Sequence, residues 1–242
     1  MKNLKSILLA LVAFSIITTS CKKNDDVTPS NNVTILDKTI TGYTQLKVSD
    51  PFKVYVTFSD TEEKIQVEAN SNLQQYITVE KQNNQLVIDL DNNLDINGSS
   101  VLNVYITTKT LDDFQAAGAS TIQLQNELYE SNVSIKLSGA CTLSGSMVVN
   151  GLYADLEGAS NLNLSGSSST LELDANGASN MMDYGFETNN FKCDLNGGSD
   201  VYLTIQQGME VVANGGSNVF YKGNGVVNKQ DLDGGSTIQK MN

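Results

Sequence analysis

The chain contains no histidine, and its 15 basic residues are all lysine, so it has no arginine either. Without histidine there is no ordinary neutral-pH base to activate a serine or cysteine nucleophile. The lysines face 27 acidic residues, for a formal net charge of −12. A surface this acidic repels phosphate polymers, and no basic, aromatic-interleaved stretch exists to overcome the repulsion, so the sequence predicts no nucleic-acid partner. Long apolar runs are also scarce. The one at the start, Ile7 to Ile17, is too short for a membrane span and follows Lys2 and Lys5, which reads as a secretory signal over residues 1–20.

What the chain has in abundance is glycine in a fixed phrase: glycine, a tiny residue, a serine-sized residue, Thr/Asn/Asp, then an apolar residue. Copies begin at Gly118, Gly139, Gly158, Gly177, Gly197, Gly215 and Gly234, a period of about 19 residues. Such a period marks a stacked repeat. The flanks alternate with period two, as strands do. Phe114, Ile135, Ala154, Leu173, Cys193, Val211 and Gln230 form one column expected to face inward. Ala116, Leu137, Leu156, Ala175, Leu195, Ala213 and Leu232 form a second, and Ile122, Leu143, Leu162, Met181, Val201, Val219 and Ile238 a third.

One rung of this length cannot bury its own apolar side, so each strand must pair in parallel with its copy about 4.8 Å along an axis. Chain chirality favours a right-handed coil. The expected fold is all-β: a right-handed parallel β-helix over residues 114–242. The seven glycines are its structural corners, where positive φ and close backbone approach exclude side chains. Ahead of it, residues 33–113 alternate around Phe52, Val54, Val56, Phe58, Ile65 and Val67, and again around Leu86, Ile88 and Leu90. They read as an antiparallel β region with irregular rungs that caps the stack.

The reiterated Gly-Ala-Ser and Gly-Gly-Ser corners, with the preceding run from Phe52-Lys53-Val54-Tyr55-Val56 through Leu86-Val87-Ile88 to Leu111, resemble the head GIN domain family of autotransporter-type adhesins. These are common as lipoproteins in Bacteroidetes-type bacteria. The resemblance spans about Val33 to Ile238 and implies a β-helix of the pectate-lyase type with an adhesive role. Thr18-Thr19-Ser20-Cys21 is similar to a lipoprotein lipobox, with threonines where the usual form has Leu-Ala/Ser. The other reading is an ordinary cleaved signal with an incidental cysteine. Lys22-Lys23-Asn24-Asp25-Asp26 resembles the signal that sends such lipoproteins to the outer face of the outer membrane. Residues 21–32 are then a polar tether lipidated at Cys21, with the membrane as partner through the anchor.

Cys141, in a corner serine's place, and Cys193, on an entering strand, lie three rungs apart. That is about 14 Å, too far for a disulfide, so both are expected as buried free thiols. The corner serines recur in every rung, whereas an active site occurs once, so they are expected to be structural. Asp155, Asp174 and Asp194 stand on successive rungs facing outward. They read either as a hydrated acidic face or as a calcium site. Asn176, Asn196 and Asn214 are placed to form an amide ladder, and Tyr202, Phe220 and Tyr221 to be exposed aromatics.

No catalytic signature or cofactor motif emerges. The functional expectation is a non-enzymatic, surface-exposed outer-membrane lipoprotein that presents a rigid β-helix to a surface glycan or protein. The alternative is a carbohydrate-active enzyme, a polysaccharide lyase or hydrolase, on the same scaffold.

Overall fold

The structure, a computed structural model, describes residues 25–242, so residues 1–20 and Cys21 lie outside it. Among the described residues there is no α-helix, and a 3-10 turn at Gln74–Tyr76 is the sole helical element. The rest is a parallel β-solenoid with antiparallel strands at one end. In the stack, single strands run through most of a rung: Thr142–Leu156, Asn161–Gly177, Asn180–Gly197 and Asp200–Ala213 each pair in parallel with the next. Val226–Leu232 and Thr237–Lys240 close the C-terminal end.

The alternation seen in sequence builds the core. Phe114, Ile135, Leu173, Val211 and their column mates, the second column from Ala116 to Ala213 and the third from Ile122 to Val219 are all buried. In the last described rung Gln230 is exposed while Leu232 and Ile238 are partly buried, since no described rung packs over them.

All seven corner glycines have positive φ, from +73° at Gly234 to +93° at Gly139. The space above each is closed as well. A Cβ added at Gly177 would stand 2.5 Å from the carbonyl oxygen of Gly158, and one at Gly197 would stand 2.3 Å from that of Gly177. Those same carbonyls accept hydrogen bonds from the N–H groups of Ala178 and Gly198, each at 2.7 Å. Two requirements therefore coincide at one position, the left-handed backbone and the absence of a side chain.

The N-terminal region is less purely antiparallel than its sequence suggests. Gln45–Val48 and Lys53–Phe58 already form a parallel rung, paired with Asp113–Ala116 and Thr121–Leu124. On its other side the same rung pairs in parallel with Gln85–Leu90 and Leu102–Thr108. Antiparallel pairing is confined to the outside, where Lys64–Asn70 joins Val33–Lys38 to Leu102–Thr108 and Ile77–Gln82 joins Gln85–Leu90.

The early corner is hidden because Asp50 takes the glycine's place. It has φ +65°, and its Cα lies 3.3 Å from where a Cβ on Gly118 would be. Aspartate is one of the few residues that tolerates this conformation. The layer beneath it, 89–102, is an excursion rather than a tight corner, so the close packing that forces glycine elsewhere is not repeated.

The tether is also shorter than expected. Asp25–Val27 pairs in parallel with Leu94–Ile96, a short strand between Leu90 and Leu102. The amide of Asn72 then holds the backbone N–H of Ser30 at 2.9 Å and the carbonyl of Thr28 at 2.9 Å. From Asp25 onward the segment is docked to the cap.

Gly177→Val places a β-branched residue at φ +84°, with its Cβ on the Gly158 carbonyl. A loss of roughly 3 kcal/mol or more is expected, or about 10 °C in Tm for a domain of this size. An unchanged melting curve would contradict the stacked corner.

Candidate functional site

The repeat positions that carry polar chemistry are mostly occupied with one another. Ser120, Ser160, Ser179, Ser199 and Ser217 are fully buried. Each hydroxyl donates to the carbonyl three residues back, as from Ser160 to Glu157 at 2.9 Å, Ser179 to Asn176 at 3.0 Å and Ser217 to Asn214 at 3.1 Å. They close the corner and offer no free nucleophile. Cys141 copies the bond with its thiol to Ser138 at 3.3 Å, and burial pushes that thiol up. Cys193 is pushed up further by burial and then by Asp194 and Asp174. Both are buried free thiols.

Amide ladders run on both sides of the corner. Asn196 donates to Asn176 at 3.2 Å and Asn214 to Asn196 at 3.1 Å. On the other side Asn180 donates to Asn161 at 3.3 Å, Asn218 to Asp200 at 2.8 Å and Thr237 to Asn218 at 2.7 Å. The first ladder is legible in sequence. The second uses the fourth residue of the phrase, whose Thr/Asn/Asp restriction signals it.

Asp155, Asp174 and Asp194 are in register on adjacent strands. Their side chains stand side by side on parallel strands, and two of the three take neighbours other than one another. Asp174 accepts from Tyr153 Oη at 3.1 Å and Asp194 from Asn196 at 2.9 Å. Burial, then the bond to Asp174, pushes the Tyr153 phenol up to about 12. Among the described residues no group of three or more His, Cys, Asp or Glu side chains is arranged to hold a metal ion.

Of the aromatics, Tyr202 and Phe220 stack at 4.8 Å with Tyr184 edge-on at 5.6 Å, and Lys222 lies 4.9 Å from the Tyr184 ring centre. Tyr221 does not join them. It follows Phe220 on the same strand, so the period of two turns it inward, and it is buried.

The feature that sequence reasoning misses is a groove of about 970 Å³ along the re-entrant corner, where each rung turns back toward the strand leading to the glycine. Asn132, Gly151, Thr170, Asn190, Gly208 and Asn228 line one wall, and Leu152, Leu171 and Phe191 lie in its floor. Strand register carries Asn132 to Gly151, Thr170, Asn190 and Gly208 on successive rungs. Neither glycine here has positive φ. A Cβ at Gly151 would instead strike the Asn132 amide at 2.5 Å, and one at Gly208 the Asn228 amide at 2.3 Å. A signal exists, since this column falls about seven residues ahead of each corner glycine.

The opposite wall is acidic. Asp113, Glu172 and Glu210 share one column there with Lys192, which Glu172 holds at 2.5 Å, and Glu130, two residues before Asn132, also lines the groove. At its N-terminal end Asp112 is held above the usual carboxyl range, first by burial and then by the charges of Glu130 and Asp113.

Residues 42–225 match the family described as "Putative auto-transporter adhesin, head GIN domain". No curated protein matches the chain. Among solved structures, a "putative adhesin" from Bacteroides fragilis is 19% identical, covering 89% of this chain and 100% of its own, with TM-score 0.80. A "putative adhesin" from Parabacteroides merdae is 18% identical over 90% of this chain and 100% of its own, with TM-score 0.68. A "putative lipid binding protein" from Parabacteroides distasonis is 15% identical over the same shares, 90% and 100%, with TM-score 0.73. At these identities the likeness is one of fold.

A carboxyl with a raised folded-state pKa holds its proton more tightly in the folded chain. Its contribution to stability is present at low pH and is lost as pH rises through the raised value. Asp112→Asn removes that charge. It is expected to raise Tm at pH 7 by roughly 1–3 °C, with the gap to wild type closing as pH falls through the carboxylate range. Melting scans that show a lower Tm at pH 7, or a gap independent of pH, would contradict the crowding of acids at this end of the groove.

Proposed function

We propose, from the premise that this chain belongs to the head GIN domain family of auto-transporter adhesins, that it is a non-enzymatic cell-surface protein. In this reading it is held to the outer membrane by lipid on Cys21 and presents its solenoid as an adhesive surface. The observation that carries the reading is the axial groove, a continuous recognition surface on a scaffold whose repeated serines, amides and glycines are spent on holding the rungs together. Rigid elements present such a surface without an ordering cost on binding.

The anchor fits the cap. Three residues separate Cys21 from the docked Asp25, a reach of at most about 14 Å. Lipid at Cys21 would hold the antiparallel end close to the membrane and leave the stacked rungs as the outer part of the molecule.

A glycan-cleaving enzyme is the second reading, favoured by the carboxylates along the groove. Against it, Glu172 is engaged by Lys192, and among the described residues no pair of carboxylates is set apart from the repeat as an acid and a base.

In cells, Cys21→Ala is expected to move the protein from the membrane to the soluble fraction, and external protease is expected to cut the wild type on intact cells. Wild-type protein that is soluble and unacylated would overturn the anchor. Shortening of polysaccharide chains by purified protein would favour the enzyme.

A further inference from the structure

The groove is lined from Gln45 to Asn228, and strand register places these residues on eight successive layers. At a spacing of 4.8 Å the seven steps between them make a channel about 34 Å long. A volume of about 970 Å³ spread along that length makes the groove long and narrow, so the space suits a linear polymer laid along the axis better than a compact small molecule.

We propose that the groove binds a linear glycan bearing free amino groups, running parallel to the solenoid axis. This rests on the adhesin reading and names the ligand class of that surface. One wall repeats with the rungs. Asn132, Thr170, Asn190 and Asn228 bring amides and a hydroxyl, and Gly151 and Gly208 leave the space that Asn132 and Asn228 occupy. A pyranose ring is about as long as a rung is tall, so each rung can meet one sugar with similar donors and acceptors.

A peptide is less well served. Strand-type capture of a peptide needs a free sheet edge, and along the groove the strands are paired in parallel on both sides. The charge selects among glycans. Asp112, Asp113, Glu130, Glu172 and Glu210 face the groove against Lys192 alone, and that ammonium is already held by Glu172. Uronate or sulfate chains would be repelled, whereas ammonium groups would relieve the repulsion among the acids. The acids are spread along the groove rather than gathered around a metal-sized point.

The test is calorimetric titration of the full mature chain in detergent at pH 6. The probes are a β-1,4-glucosamine hexamer, its fully N-acetylated form, a hexamer of galacturonate and hexalysine. The glucosamine hexamer is expected to bind, more weakly as salt is raised, with the acetylated and anionic hexamers at least about tenfold weaker. Glu210→Gln and Thr170→Val each change one wall position exposed to solvent. Each is expected to weaken binding by about tenfold while leaving the melting curve in place.

Equal binding of the acetylated or galacturonate hexamer would overturn the assignment, as would equal binding of hexalysine. So would full affinity in both variants. Attachment of whole cells separates this from the adhesin reading. Intact attachment with no glucosamine binding sinks the groove assignment alone, and groove binding with no loss of attachment on deleting the protein sinks the adhesin reading alone.

Discussion

The structure depends on the contact between one glycine and the next. From Gly118 to Gly197 the corner carbonyl points at the rung that follows, where it meets a backbone N–H and leaves no room for a Cβ. That contact fixes the rung spacing at a single azimuth. Everything attached to the corner is then in register by construction, including the apolar columns that form the core. Hydrophobic burial supplies most of the driving force, but the glycine stack decides which residues are buried together. A one-residue slip would turn every column from core to solvent.

Register at the corner also explains why so much polar side-chain chemistry is structural. When identical residues stack at the strand spacing, an amide can donate to the copy below it and accept from the copy above, as Asn196 does between Asn214 and Asn176. Hydroxyls buried beside the corner find a carbonyl in the same turn. Carboxylates cannot satisfy one another in this way. Asp174 and Asp194 take Tyr153 and Asn196 instead. The groove arises at the opposite kind of corner, which is re-entrant. There the glycines give side-chain room rather than a left-handed backbone, so polar groups remain open to solvent.

The stack is largely legible in the sequence because its constraints recur. Three apolar columns, seven glycines and the Asn176 ladder repeat often enough for their period to stand out. Features that occur once do not declare themselves. The corner at Asp50 lacks glycine because the layer under it is different, so it carries no sign of the repeat although it has the same loop length. The strand at Asp25–Val27 finds its partner about seventy residues away in a mostly polar segment whose apolar residues are Leu94 and Ile96. The groove is the intermediate case. Its column repeats, but Asn, Gly and Thr have no common hydropathy, and nothing in a linear reading tells which way a corner bends.

The rung at 45–58 has a consequence for how the protein is assembled. Both of its neighbours come from later sequence, 85–108 on one side and 113–124 on the other. This rung is completed on one side only when residues up to 108 have followed it, and on the other only when residues up to 124 have. Later rungs need only the one just completed, so growth toward the C-terminus proceeds through local closures, while the beginning of the chain waits for a long loop to close. During synthesis this segment is thus exposed the longest and depends on what comes after it.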